Sequence, residues 1–233
     1  MTPVKPIEAQ WLGRVEYEKT LDLQNRLVSE YLAGAGSEKL LLLEHEPVYT
    51  IGRTRDQSSL RSPKTLPHPV FEINRGGKAT WHGPGQLVAY PILDLKRHGR
   101  DLHCYMRFLE EIIIATCGAL GVESHRREGL TGVWIGSRKI ASIGVGVRRW
   151  VTMHGLALNV TCYSLESFRH ITPCGIADAE MTCIERESGQ TIDVEDTAAI
   201  FAEIFLRELP ALPGDYPQET AASGPVSRSR DYD

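Results

Sequence analysis

The 233-residue chain is 42% hydrophobic and 24% charged, with a formal net charge of −4, which points to an ordinary soluble globular protein with one sizeable core, or at most two small ones. Its longest apolar runs, Leu40 to Leu43 and Ile112 to Ala115, are too short to cross a bilayer, so no membrane partner is expected. The five cysteines, at 104, 117, 162, 174 and 183, are odd in number and lack a Cys-x-x-Cys pair, which argues against a disulfide framework and a zinc site.

Met1 to Pro6 has no apolar stretch of signal type, so a cytoplasmic location is expected. Ile7 to Leu12 reads as a first strand. Arg14 to Leu32 has the spacing of an amphipathic helix, with Tyr17, Leu21, Val28, Tyr31 and Leu32 on one side and Gly34 and Gly36 ending it. Lys39 to His45 is a buried-strand run. Arg53 to Pro69, polar and with three prolines, predicts an exposed loop. Val70 to Asn74 is a strand feeding a glycine-rich segment, and Leu87 to Leu95 is another strand. Asp101 to Leu120 has helical period, with Tyr105, Phe108, Ile112, Ala115 and Ala119 in register. Thr131 to Ile135, Gly136-Ser137 and Arg138 to Val147 read as strand, tight turn and strand, and Val151 to Val160 continues the sheet. Glu195 to Leu209 is a last helix, capped around Asp193 to Asp196. Residues 1–212 are expected to form the catalytic domain and 213–233 a mobile Pro/Ser/Gly-rich tail. The alternation predicts a single α+β (mixed α/β) domain, one main mixed sheet flanked by helices.

Charge is uneven. Residues 178–233 carry 13 acidic and 4 basic side chains, against 17 and 22 in residues 1–177. Arg75, Lys78, Arg126, Arg127, Arg138, Lys139, Arg148 and Arg149 fall around the segments that carry chemistry. They read either as a solvated surface or as a patch that steers an acidic macromolecular partner. With no aromatic-interleaved basic stripe, no nucleic-acid partner is expected.

Four segments stand out. Arg75 to Gln86 holds Gly76, Gly77, Gly83 and Gly85, which permit positive φ and close backbone approach to a ligand. It matches neither phosphate-loop pattern, and a tight strand connection is an equal reading. Lys139, between apolar strand neighbours, is expected to face solvent by its position alone; pointed into a cleft, it serves as a base. Cys174 sits in Pro173-Cys174-Gly175, a turn that exposes a thiol, and a basic neighbour makes such a thiol a nucleophile. The Gly175 amide is placed to face a developing oxyanion. Cys117, Cys162 and Cys183 read instead as small buried hydrophobes. His82 and His154, each followed by glycine, are read as shaping a pocket rather than as general bases. Trp81 and Trp134 belong either to the core or to an apolar acyl pocket.

In order and spacing, Arg-Gly-Gly-x-x-Thr-x-His-Gly-Pro-Gly-Gln (75–86), Lys-x-x-Ser-x-Gly (139–144), His-Gly-x-Ala-x-Asn (154–159) and Pro-Cys-Gly (173–175) resemble the lipoyl(octanoyl) transferase family. Glu46 to Arg53 resembles that family's early motif, and the likeness spans roughly residues 7 to 209. The resemblance implies a fold like the catalytic domain of biotin and lipoate protein ligases. It implies Cys174 as acyl-thioester nucleophile and Lys139 as the group that lowers its pKa. The acyl substrate would be bound by Arg75, Gly76, Gly77, Lys78, Ala79, Thr80, Trp81 and His82, by Ser142, Ile143 and Gly144, and by Gly155, Leu156 and Ala157, with His154 and Gly175 in support. It further implies octanoyl-acyl carrier protein as donor, and as acceptors the lipoyl domains of 2-oxoacid dehydrogenase complexes and the glycine cleavage H protein. No cofactor and no metal are expected, and a monomer is the default. An ATP-dependent lipoate-protein ligase, a cysteine-dependent thioester hydrolase and a non-catalytic acyl- or carrier-binding module are the competing readings.

Overall fold

The computed structural model describes residues 6–53, 60, 66–171 and 180–212. β1 (Glu8–Val15), α1 (Tyr17–Leu32) and β2 (Lys39–His45) form a parallel crossover unit. Here α1 starts later than its periodicity predicts. Arg14 and Val15 stay in the strand, paired with Glu44 and His45, beyond a register shift after Trp11. Next come β3 (Val48–Ile51), β4 (Val70–Glu72), β5 (Ala79–His82), β6 (Gln86–Ile92) and α2 (Leu102–Ala119). They are followed by β7 (His125–Arg127), β8 (Leu130–Ile135), β9 (Arg138–Arg148) and β10 (Val151–Asn159). A 3₁₀ helix (Cys162–His170), α3 (Ile184–Ser188), α4 (Val194–Glu208) and a last 3₁₀ turn (Leu209–Ala211) complete the described chain.

The main sheet has seven strands in the order β1-β2-β6-β10-β9-β8-β7, and only its β1–β2 pair is parallel. Helices cover both faces, which explains why β2 reads Leu-Leu-Leu-Leu instead of alternating. Leu40 and Leu42 enter the large core with Phe108 of α2 and Phe201 and Phe205 of α4. Leu41 and Leu43 pack on the other side with Val88, Ala157 and the α1 residues Leu23 and Leu27. The Phe108 and Phe205 rings meet edge to face at 5.3 Å, the geometry that aromatic quadrupoles favour. Asp193 caps α4, its carboxylate accepting from the Glu195 and Asp196 amides, as Asp at an N-cap should. Among the described residues, no helix is long and apolar enough to cross a membrane.

A second sheet, β4-β3-β5, has its own core of Tyr49, Ile51, Ala79, Trp81, Phe168 and Ile171. β3, β5, β7, α3 and the last 3₁₀ turn are not visible in the sequence, because runs of three to five residues carry no periodicity, and the nine-residue 3₁₀ helix follows neither the helical nor the strand period. In the stretch expected as an exposed loop, Leu60 is 6% exposed and pairs with Ile171.

One buried carboxylate ties α2 to the far end of the main sheet. Glu110, 1% exposed, accepts from Arg107 Nη1 (2.7 Å), Arg126 Nε (3.1 Å) and the Gly132 amide (2.9 Å). Removing such an acceptor strands its partners without hydrogen bonds. Glu110→Ala should therefore lower the unfolding free energy by about 3 kcal/mol, with Glu110→Gln milder, as read from urea denaturation midpoints.

Candidate active site

A narrow cleft opens between the small sheet and the β9–β10 hairpin, beneath Tyr17 of α1. Hairpin register makes cross-strand partners of two segments that are separate in sequence: Gly144 faces Gly155, Ile143 faces Leu156, and Ser142 faces Ala157. These six residues form one wall. The opposite wall comes from β5 and the loop before it, with Arg75, Gly77, Lys78, Ala79, Thr80 and His82.

Two glycines are dictated by close approach. A Cβ on Gly144 would lie 2.9 Å from Arg75 Cδ and 3.2 Å from the Gly76 carbonyl oxygen, and one on Gly155 would lie 2.2 Å from the Ala89 carbonyl oxygen. Arg75 can therefore lie across β9. It is 6% exposed, and its guanidinium donates to the Thr50 carbonyl (3.0 Å), Thr50 Oγ1 (2.8 Å) and the Gly76 carbonyl (2.8 Å). The arginine thus fastens the glycine loop to β3. Beside Gly155, His154 has φ +57°, a left-handed conformation that costs a non-glycine residue about 1–2 kcal/mol. Its amide donates to Gln24 Oε1 of α1 at 2.7 Å.

Two residues expected in the cleft lie elsewhere. Trp81 projects from the other face of β5 into the small core, 5.3 Å from the Tyr49 ring, with its indole N–H on the Ser164 carbonyl (3.1 Å). Gly76 sits behind the wall, its amide on the Val145 carbonyl (3.0 Å). Cys174 and Gly175 lie outside the described residues, as do 213–233.

The floor is polar and buried, and its hydrogen bonds determine its tautomers. The Thr182 carbonyl can only accept, so Asn159 donates to it through Nδ2 (3.0 Å). Asn159 Oδ1 then accepts from Gln86 Nε2 (2.9 Å), which leaves Gln86 Oε1 to accept from His82 Nδ1 (2.8 Å). Hence His82 carries its proton on Nδ1 and its lone pair on Nε2. The same logic applies to His45. Its Nδ1 donates to the Val15 carbonyl (2.9 Å), so its Nε2 accepts from the Tyr90 hydroxyl (2.8 Å). Burial drives all three nearby imidazoles toward neutrality. His45 and His154 are pushed down to about 4, and His82, further depressed by its neighbour His45, falls well below its usual value. The Tyr17 hydroxyl is buried with no hydrogen-bond partner among the described residues. His45, Tyr90 and Gln24 were missed from the sequence, where each reads as an ordinary helix or strand residue, and Tyr17 reads there only as part of the apolar face of α1.

Lys139 is not solvent-facing, as strand alternation predicts; it is 1% exposed. A register shift between β8 and β9 aligns Trp134 with Lys139 but Val133 with Ala141. Ile140 and Ala141 both enter the large core, and this bulge turns Lys139 to the opposite face, in phase with Ser142. Its Nζ donates to the Thr131 carbonyl at 2.9 Å and lies 5.3 Å from the Trp134 ring centroid, two contacts suited to a cation. Its backbone bonds to Glu180 (2.8 Å) and Thr182 (2.9 Å). Trp134 is fully buried and supports this lysine instead of lining the cleft.

The basic cluster is partly neutralised. Arg126 pairs with Glu110 and Glu111, and Arg138 pairs with Glu187. Arg148 and Arg149 remain exposed, in a groove that also includes Arg53 and reaches His154.

Residues 16–206 match the family described as lipoyl protein ligase A/B catalytic domain. The octanoyltransferase of Geobacter sulfurreducens is 50% identical over 214 residues, covering 90% of this chain and 89% of that protein. The octanoyltransferase of Mycolicibacterium gilvum is 44% identical over 218 residues, covering 88% and 86%. In fold, the chain is similar to lipoate-protein ligase A bound with ATP (TM-score 0.68, 14% identity, 86% of each chain). It is also similar to the biotin protein ligase of Aquifex aeolicus (TM-score 0.56, 14% identity, 88% of this chain and 71% of that one).

The depressed histidines set an acid limit on stability. Their folded pKa values lie below the ordinary 6.5, so between pH 6.5 and about 4 the unfolded chain binds protons that the folded chain refuses. Stability is then full above pH 6.5 and falls as the pH drops, by about 1.4 kcal/mol per pH unit for each histidine. Urea titrations from pH 7.5 to 4.5 should show this slope, and His45→Gln should flatten it.

Proposed function

The chain belongs to the lipoyl protein ligase A/B catalytic-domain family as an acyltransferase acting in octanoyl transfer for protein lipoylation, and we propose that Cys174 carries the octanoyl group as a thioester between an acyl carrier protein and a lysine of a lipoyl domain. The carrying observation is that segments scattered through the sequence share one cleft while Lys139, buried, sits on the strand that forms its wall. The Lys139 backbone is bonded to Glu180, and Cys174 precedes Glu180 by six residues, a reach of at most about 21 Å of extended chain.

The division of labour follows from the linings. Ile73, Ile143, Leu156 and Ala157 offer an apolar wall; burying an octanoyl tail there, at about 0.8 kcal/mol per methylene, is worth about 5 kcal/mol. The Cys174 thiolate attacks the carrier's thioester carbonyl and expels the carrier thiolate. The acceptor amine then attacks the Cys174 thioester, the Cys174 thiolate leaves, and an amide remains. Exchange of one thioester for another is near balance, whereas aminolysis is downhill, so no nucleotide is consumed. Lys139 as an ammonium stabilises the Cys174 thiolate, and as an amine it takes the proton of the incoming lysine. Neutral His82 and His154 shape the floor. The protein works as a monomer in the cytoplasm, and the 2-oxoacid dehydrogenase lipoyl domains and the glycine cleavage H protein are its acceptors.

Brief exposure to octanoyl carrier protein without acceptor should add one octanoyl group, mapped to residue 174. Cys174→Ala should lose transfer by at least ~1,000-fold, and Lys139→Ala should slow both half-reactions by ~100-fold. An unmodified Cys174 in a competent sample would overturn the reading, and a requirement for ATP would replace it with a ligase. The exposed Arg148 and Arg149 groove favours an acidic donor, so kcat/KM should fall as salt rises from 50 to 300 mM, roughly one Debye screening regime to the next.

A further inference from the structure

We infer that Cys162 and Cys183 form a redox-active thiol pair, which a low-molecular-weight disulfide converts reversibly into a protein disulfide. Both were expected to be inert buried cysteines. The structure instead leaves Cys162 exposed and Cys183 fully buried, with their sulfurs 3.4 Å apart. Neither thiol lines the cleft.

The proximity is built by the backbone and is not the accident of two rotamers. Cys162 opens the 3₁₀ helix after β10, and Cys183 is the N-cap of α3. The two stretches are laced together on both sides of the sulfurs. The Glu185 amide donates to the Val160 carbonyl (2.9 Å), Asn159 Nδ2 donates to the Thr182 carbonyl (3.0 Å), and the Cys162 amide donates to Glu185 Oε2 (2.7 Å). Bond formation requires the sulfurs to close from 3.4 Å to the ~2.05 Å of a disulfide.

Asymmetry of exposure sets the order of events. The Cys162 thiolate attacks one sulfur of the small disulfide, forming a mixed disulfide and releasing one small thiol. The Cys183 sulfur then attacks the Cys162 sulfur as its proton passes to the departing small thiolate, releasing the second small thiol. Two protons leave the protein, and the two electrons reduce the small disulfide to two thiols. Burial, reinforced by the adjoining Cys162, pushes Cys183 up to about 12, so the exposed partner meets the oxidant first. Cys174 lies between the two in sequence, and the link closes a ring of chain that contains it.

The test uses the full chain carrying Cys174→Ser, to remove the intervening thiol, incubated with glutathione disulfide, alkylated and peptide-mapped. The expected result is one linked pair of peptides containing Cys162 and Cys183, two hydrogens lighter than their sum. Alkylation should be lost at both positions, retained at Cys104 and Cys117, and restored by dithiothreitol. Adding Cys162→Ser should abolish the link; because that residue is exposed, the variant keeps its fold, and circular dichroism checks this. Glutathione that stays on Cys162 without a link, or full alkylation of both cysteines, would overturn the inference. These readouts do not depend on octanoyl transfer, so either proposal can fail alone.

Discussion

His82, Gln86, Asn159 and Thr182 form a one-way run of hydrogen bonds that ends where the Thr182 amide donates to the Lys139 carbonyl. Each of these residues is at least nine-tenths buried, so each unmade bond would leave a group unsatisfied at about 1–3 kcal/mol. The run crosses from the end of β5 through β6 and β10 to β9. It therefore sets the tautomer of an imidazole on the cleft floor and the position of the lysine's backbone by the same set of contacts. A change at Gln86 or Asn159 would act at both ends.

Around that run, the cleft exists because two sheets come closer than side chains permit. Gly144 clears the path of Arg75 between them and Arg75 in turn bolts the glycine loop to Thr50, while within the main sheet Gly155 clears the Ala89 carbonyl of the neighbouring β6. The strained backbone of His154 is held by Gln24 reaching from α1. Strain of this kind persists where the surroundings over-determine it.

Electrostatically, the site separates two environments. The floor holds two imidazoles, His82 and His154, with His45 behind them, and burial disfavours the charged form of all three, next to an apolar wall suited to a fatty chain. On β9, Lys139 meets the Thr131 carbonyl and the Trp134 ring, a ring that Arg127 also approaches. Octanoyl transfer calls for a low-polarity trough of this kind for the tail. The Cys162–Cys183 pair stands apart from both environments, yet its anchor points at Asn159 and Thr182 belong to the same run of hydrogen bonds.

Much of the architecture was legible in the residues themselves. The helical period of Asp101 to Leu120, the Asp193 cap and the unbroken leucines of Leu40 to Leu43 specify an α+β domain through local physics alone, and the ordered glycine, lysine and histidine patterns identify the family. Local pattern could not disclose β3 or β5, which are too short for any period to register. It also placed Lys139 on the wrong face and left Trp81 open between core and pocket. A bulge opposite Trp134 inverts the parity of the lysine, and the pairing of β3 with β5 turns the tryptophan into a second core. Tyr17, His45 and Tyr90 carry no signal in sequence because their significance is one of convergence. Side-chain direction in a strand depends on register, and register is decided by partners distant in the chain. The amino-acid order thus determined which elements form and which chemistry is available, and only the packing of the two sheets decided which of those groups meet.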